Sequence, residues 1–253
     1  MGGSAVVVGC GLAAALLVLT AVAAGIAAVG GLGTARDSAM AAARAVVQLA
    51  VVSAVIVAVV RSWWATVGFV LVMLGVASWT SARRMTRDRS GLKAGLAILA
   101  GTVPVVAVIL ATGSVPLTGI ALVPVAGIVI GGAMTATSLA GRRALGVIAD
   151  RRGEYEAALS LGLVERDAAL LLVRPSGRDA LVPALDQTRT VGLVTLPGAF
   201  VGVLLGSGDP IQAGAAQVLV LVGLLAAETV AALVTIELVA RNRIRRRAAS
   251  PTG

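Results

Sequence analysis

The sequence predicts an all-α integral membrane protein of about seven transmembrane helices, with the N-terminus outside and the C-terminus cytoplasmic. Three observations carry that reading. Hydrophobic residues make up 58% of the 253 residues, charged residues only 13%, and the mean hydropathy is +0.99. A soluble domain is usually about 45–50% apolar and about 25% charged, so a water-soluble globule is excluded, and so is a solvated disordered chain. Seven stretches are long and apolar enough to approach the roughly 20 residues that a bilayer core requires. Finally, the basic residues fall in clusters after alternate stretches, which is how membrane proteins set their orientation.

The first stretch, residues 5–29, follows Met1-Gly2-Gly3-Ser4 with no basic residue before it. Its apolar run exceeds the about 7–15 residues of a secretory signal, so it reads as a span. It holds Cys10, the one cysteine, so no internal disulfide can form and Cys10 reads as a packing residue. The second stretch, 39–60, carries Arg44 and Gln48 four residues apart, hence on one helix face. Charges inside a span cost a few kcal/mol at the midplane. Arg44 therefore either snorkels to the headgroups or belongs to a buried pair that orients the span or meets an anionic substrate. Stretches 63–82, 92–112 and 120–140 follow. In the last of these Gly127 and Gly131 form a small-xxx-small ridge, suited to close helix packing or to lining a path.

The sixth stretch, 190–205, is short, and its helix is expected to begin near Ser176 with a polar cytoplasmic extension. Pro197-Gly198 within it removes a backbone donor. That predicts a hinge-like kink whose freed carbonyl near Val194 turns to the Thr195 hydroxyl, a water or a substrate. The seventh stretch, 212–239, contains Gln217 and Glu228, eleven residues apart and nearly on one face. Glu228 is the deepest carboxylate, either partner to an arginine such as Arg44 or a cation or proton site; Glu237, near the end, reads as solvated.

Every basic residue but Lys93 is an arginine, and the net charge is +9. A pI near 11.5 would suggest nucleic acid, but clusters between apolar runs point to the membrane instead. Arg36 follows the first stretch, and Arg83, Arg84, Arg87, Arg89 and Lys93 follow the third. Eight arginines between Arg142 and Arg189 follow the fifth, and the basic tail of residues 241–253 follows the seventh. The alternate connections hold only Arg61. Seven crossings put every cluster on the cytoplasmic side. The chain has no histidine, no cysteine cluster and only scattered methionines, so no metal site is expected.

The cytoplasmic segment 141–189 is the one connection long enough to fold on its own. Residues 151–162 read as a short helix with Arg152 and Glu156 paired four apart, and with Gly162 as a left-handed stop. Glu165 and Asp167 suit the positive start of a second short helix. Its apolar residues Val164, Ala168, Leu171 and Leu172 fall at helical spacing. Arg174-Pro175-Ser176-Gly177 is expected to break it, with Ser176 capping the next helix. The resulting apolar stripe has nowhere within the chain to bury, which leaves lipid headgroups or a groove on a soluble partner.

Glu156-Ala157-Ala158 followed by Gly162 resembles the E-A-A-x-x-x-G motif of ABC-transporter permeases, whose loop docks on the ATP-binding subunit. Four further blocks resemble one small permease family, typified by the bacterial iron-export permease and the plant aluminium-tolerance permease. They are Ala43-Arg44-Ala45-Val46-Val47-Gln48-Leu49, the Pro124–Met134 run with Gly127, Gly131 and Met134, Leu159-Ser160-Leu161-Gly162, and Thr190-Val191-Gly192-Leu193-Val194-Thr195-Leu196-Pro197-Gly198. Asp209-Pro210 and Gln217 extend the match, which covers about residues 39–217. The chain departs from the family pattern at Gly132, where Asn is usual, at Ala199-Phe200 and at Ala216.

The resemblance implies a single permease domain over residues 1–253, multi-pass in the cell membrane, working as a homodimer with a separate ATPase. It implies a coupling segment of Tyr155, Glu156, Ala157, Ala158, Gly162, Val164, Ala168, Leu171 and Leu172. It also implies a substrate or gating path drawn from Arg44, Gln48, Gly127, Gly131, Met134, Thr195, Pro197, Gly198 and Gln217, to which the depth of Glu228 in its span, and not the resemblance, adds that residue. Nothing in the chain resembles a Walker A loop, so ATP and Mg²⁺ would sit on the partner and this chain would be no enzyme. Export, and iron as cargo, come from the resemblance alone. Two other classes stay open: an ion-coupled secondary transporter or channel using Arg44 and Glu228, and a non-transporting membrane scaffold.

Overall fold

The computed structural model describes residues 9–246; Ala5–Val8 of the first predicted span and Arg247 of the basic tail lie outside them. Nine α-helices carry the described fold: α1 Cys10–Val29, α2 Ala35–Arg61, α3 Trp63–Met85, α4 Ala94–Ala111, α5 Gly119–Asp150, α6 Arg152–Ser160, α7 Glu165–Thr190, α8 Gly198–Ser207 and α9 Pro210–Ala240. A 3-10 turn, Arg89–Lys93, precedes α4. Among the described residues six helices are long and apolar enough to cross a membrane: α1, α2, α3, α5, α9, and α4 together with its 3-10 turn. The chain is thus an all-helical, multi-pass membrane protein.

Two compact units divide it, Met1–Val59 and Val60–Gly253. The first holds α1 and nearly all of α2, joined through Gly31 and Gly33, both with positive φ. Its α2 starts at Ala35, four residues before the predicted stretch.

In the second unit α9 packs on α4, α5, α7 and α8, and α3 packs on α4 and α5. Lipid offers apolar side chains no reason to leave it, so close approach of backbones holds such a bundle together. Small residues provide it. A Cβ on Gly101 of α4 would run into the Ala227 carbonyl of α9, and one on Gly177 of α7 into Ile236. Gly141 of α5 receives the Met85 sulfur, and Ser81 and Ser138 hydrogen-bond between α3 and α5 at 2.9 Å. One buried cluster joins α3, α4, α5 and α9 around Ile98, Ala126, Ala133 and Ala231. The other joins the C-terminal parts of α5 and α9 to α7 through Ala144, Leu172, Val173 and Ile236.

Two expectations are corrected here. The chain does not break at Arg174–Gly177: α7 runs unbroken through Pro175 and Pro183, and Ser176 is a buried interior residue rather than a cap. An interior proline costs roughly 3 kcal/mol, but Leu172, Val173, Ser176, Gly177 and Ala180 all bury in the same stretch, and that packing holds the helix together. The predicted apolar stripe is accordingly left over only in half, because Ala168 and Leu172 bury within the chain while Val164 and Leu171 stay exposed.

The sixth predicted span is likewise not one helix. The chain leaves α7 at Thr190 and turns on Gly192, whose φ is +81. The amides of Leu193 and Val194 close back onto the Thr190 carbonyl, and α8 starts only after Pro197. Pro197 therefore begins a helix instead of kinking one, and frees no carbonyl near Val194. With 10 residues α8 spans about 15 Å, half of a bilayer core. Yet α7 packs with the C-terminal parts of α5 and α9, whereas α8 lies beside their N-terminal parts. The stretch from α7 to α8 therefore runs between the two ends of the unit, as a broken element.

Candidate functional site

One region is the α6–α7 corner. The side-chain pair Arg152–Glu156, 2.8 Å, and a pair between Arg151 and Glu154 support α6. The hydrogen bond from Arg151 holds the Glu154 carboxyl below the usual carboxylate range and raises the Arg151 guanidinium. Leu161 ends the helix, and Gly162 takes φ +90. A left-handed residue there lets the Leu163 amide reach the Ala158 carbonyl, at 3.2 Å, and redirects the chain into α7. Val164 is the N-cap of α7, with Glu165 and Asp167 in its first turn.

The side chains of this corner divide by face. Ala158 is buried and Tyr155 packs against the α5–α7–α9 core, where burial raises its phenol. Ala168 and Leu172 also point inward, fully covered. Glu156, Ala157 and Gly162 are exposed, and Leu161, Val164 and Leu171 offer apolar surface at 83%, 63% and 65% exposure. Four apolar positions at helical spacing thus separate into two that anchor and two that present.

The anchoring is reinforced by charge. Arg166 of α7 binds both carboxylate oxygens of Glu237 in α9, at 2.6 and 3.0 Å, and also reaches Asp167 at 2.9 Å. The Glu237 hydrogen bond raises the Arg166 guanidinium. Arg241 adds a 2.5 Å bond to Glu237, and Arg143 of α5 holds Asp179 of α7 at 2.9 Å. Glu237 is therefore an ion-pair hub, not merely solvated. A signal existed in the sequence, since Glu237 and Arg241 stand four apart; Arg166, 71 residues away, gave none.

The second region is the bundle interior. Gln217 and Glu228 are both buried on α9. The Gln217 carbonyl accepts the Phe200 amide at 3.1 Å, which fastens the start of α8 to α9. Glu228 is 7% exposed and rests where Gly132 of α5 has no side chain; a Cβ there would lie 2.5 Å from its Oε1. Its carboxylate makes no ion pair among the described residues of its own unit. Gly127 packs against Met73, while a Cβ on Gly131 would meet open space, so the two glycines do not form one buried ridge. Met134 is partly buried beside the inner cluster.

Thr195 lies in the exposed turn, paired backbone to backbone with Val191. Arg44 and Gln48 stand one turn apart on α2, in the other unit. A groove of about 1450 Å³ opens between the N-terminal half of α5, α8 and the start of α9. Gly198, Gly202 and Gly206 of α8 line it, and no charged side chain does. Their four-residue spacing was the trace of it in the sequence. Among the described residues no group of three His, Cys, Asp or Glu could hold a metal ion.

The profile of the family described as "Uncharacterised protein family (UPF0014)" matches residues 11–244. The chain belongs to this family. Among UPF0014 relatives, the rice (Oryza sativa subsp. japonica) "UPF0014 membrane protein STAR2" is 34% identical over 197 residues, 76% of this chain and 69% of its own. "Protein ALUMINUM SENSITIVE 3" of Arabidopsis thaliana is 33% identical over 174 residues, 68% of this chain and 63% of its own length. The Escherichia coli (strain K12) protein named "Probable iron export permease protein FetB" is 29% identical over 202 residues, 79% of this chain and 78% of its own. The chain thus spans about two thirds of the two plant relatives and more of the bacterial one. No solved structure matches.

Proposed function

We propose that this UPF0014 chain is the membrane-spanning subunit of an ATP-driven transporter in the cell membrane, working as a homodimer with a separate cytoplasmic ATP-binding subunit. The observation that carries the reading is the α6–α7 corner. An exposed apolar rim of Leu161, Val164 and Leu171 stands on an element whose other face is locked to α5 and α9. A push on that rim moves α7, and through the Arg166–Glu237 and Arg143–Asp179 pairs it moves the two helices that line the interior. ATP and Mg²⁺ bind the partner, and this chain transmits the motion. The rim with Glu156 and Ala157 is the docking face, while Tyr155, Ala158, Ala168 and Leu172 hold it rigid from beneath.

Motion at one end reaches α8 at the other through α9, because Gln217 holds the Phe200 amide. The glycine turn at 190–198, with Thr195, Pro197 and Gly198, lets α8 move against α7. The path then runs past Gly131, Met134, Gln217 and Glu228. Export, and iron or another metal chelate as cargo, are the reading that FetB's name suggests. The scarcity of ligating side chains favours a chelate over a bare ion.

The test is co-purification with a candidate ATP-binding subunit, followed by ATPase assay. Wild type should hold that subunit in equal amount and stimulate its ATPase, Leu171→Glu should release it, and Leu171→Met should retain it. Retention by Leu171→Glu, or no ATP-binding subunit at all, contradicts the reading. The interior carboxylate supports a second one, an ion-coupled transporter. It predicts that the chain alone in liposomes moves ions down a gradient and that Glu228→Gln stops it.

A further inference from the structure

The end of α9 does not trail away as a basic tail. Arg241 caps the helix, Asn242 takes a left-handed φ of 54, and the amides of Arg243 and Ile244 both turn back to the Leu238 carbonyl, at 2.8 and 3.2 Å. That turn drives Ile244, 1% exposed, into the core beside Met85. The Thr86 hydroxyl then donates to the Arg245 carbonyl at 3.1 Å, and the Arg245 amide donates to the Ser90 hydroxyl at 3.2 Å. The segment is latched along the α3–α4 connection, more than 150 residues away in sequence.

Latching merges two basic clusters into one surface. Arg83, Arg84, Arg87, Arg89 and Lys93 on one side, and Arg243, Arg245 and Arg246 on the other, are all exposed. None of these eight forms an ion pair among the described residues, whereas Arg143, Arg151, Arg152, Arg166, Arg189 and Arg241 do. Asp88 caps the 3-10 turn, and Glu237 serves Arg166 and Arg241.

The flank of this surface is apolar. Trp79, Leu92 and Leu96 are exposed beside it, and the Arg83 guanidinium sits 4.7 Å above the Trp79 ring. Tryptophan and arginine stacked at the end of an apolar helix mark the level where acyl chains give way to headgroups.

We propose that this latched surface is a binding site for anionic lipid headgroups. A protein partner would have to bring matching acids of its own to these cations. The continuity of the cations with the lipid-facing flank of α3 and α4 instead puts them where phosphates of the same leaflet lie. The guanidinium fork binds a phosphate through paired hydrogen bonds, and each basic group near an anionic surface multiplies binding about fivefold. The site does not depend on the chain being an ATP-driven transporter.

The experiment is native mass spectrometry of the full chain purified in detergent and exposed to phosphatidylglycerol or phosphatidylcholine. Wild type should retain the anionic lipid in preference. Arg83→Gln/Arg84→Gln/Arg87→Gln should lower that preference at least tenfold. The corresponding lysine triple should keep much of it, showing that the loss is of charge. Thr86→Ala/Ser90→Ala, which unlatches the tail without removing a cation, should lower it too, and Arg142→Gln/Arg178→Gln should not. Equal retention of both lipids, or a glutamine triple that behaves as wild type, overturns the proposal. So does a glutamine triple that keeps its lipid but loses a bound ATP-binding subunit, since the surface would then be a protein dock.

Discussion

At the scale of single residues the fold rests on contacts that admit no extra atom. Gly101 faces the Ala227 carbonyl across the α4–α9 contact, with the Ala231 Cβ 3.2 Å from where a Cβ would lie. Backbone cannot step aside as a side-chain tip can, so Gly101→Ala should force the two helices apart. The expected loss is about 1–3 kcal/mol, read as a lower melting temperature in detergent; Gly131→Ala, in open space, should melt as wild type. Ion pairs here act more on position than on stability. Arg166→Gln should leave the chain folded and an ATP-binding subunit bound, yet lower ATPase stimulation, because the rim would no longer drag α9. The Arg151–Glu154 pair also has a defined pH sign. Since the folded carboxyl titrates below its unfolded value of about 4.3, its support of α6 is present above that value and fades as pH falls through the lowered one. Hydrogen exchange of the α6 amides should therefore be insensitive to Glu154→Gln only in strong acid.

At the scale of elements, turns decide what each helix can do. Gly162 has φ +90, a conformation that costs a side chain roughly 1–3 kcal/mol. Gly162→Val should misdirect the chain into α7 and abolish ATPase stimulation even though residue 162 meets nothing within 4 Å. Local signals made this corner readable in advance: the Arg152–Glu156 spacing, the glycine stop and the acids at Glu165 and Asp167 all act within one or two turns. The next element departs from its local signals for the complementary reason. Pro175 and Gly177 are strong local breakers, and only the burial of Leu172, Val173 and Ala180 against α5 and α9 keeps α7 intact. Such burial has no local trace. The sixth stretch departs in the opposite sense, because its apolar composition suggests a span where Gly192 and Pro197 divide the chain.

At the scale of the molecule, hydropathy identified six of the seven predicted stretches as helices able to cross a membrane among the described residues. The candidate site was less legible. Spacing could place Gln217 and Glu228 on one face and could expose the α6–α7 corner, but which apolar residues present and which anchor depends on contacts far apart in the chain. The same holds for the groove beside α8 and for the latched end of α9. Transport of this kind requires that the rim of α6 and α7 receive force from an ATP-binding subunit. Photo-cross-linking reports on it directly, with a benzophenone attached to Leu171→Cys in a Cys10→Ala background and the complex in vesicles. A cross-link to the ATP-binding subunit should form, with a yield that changes when ATP is added. A probe that reacts only with lipid or with this chain itself, whatever the nucleotide, would contradict it.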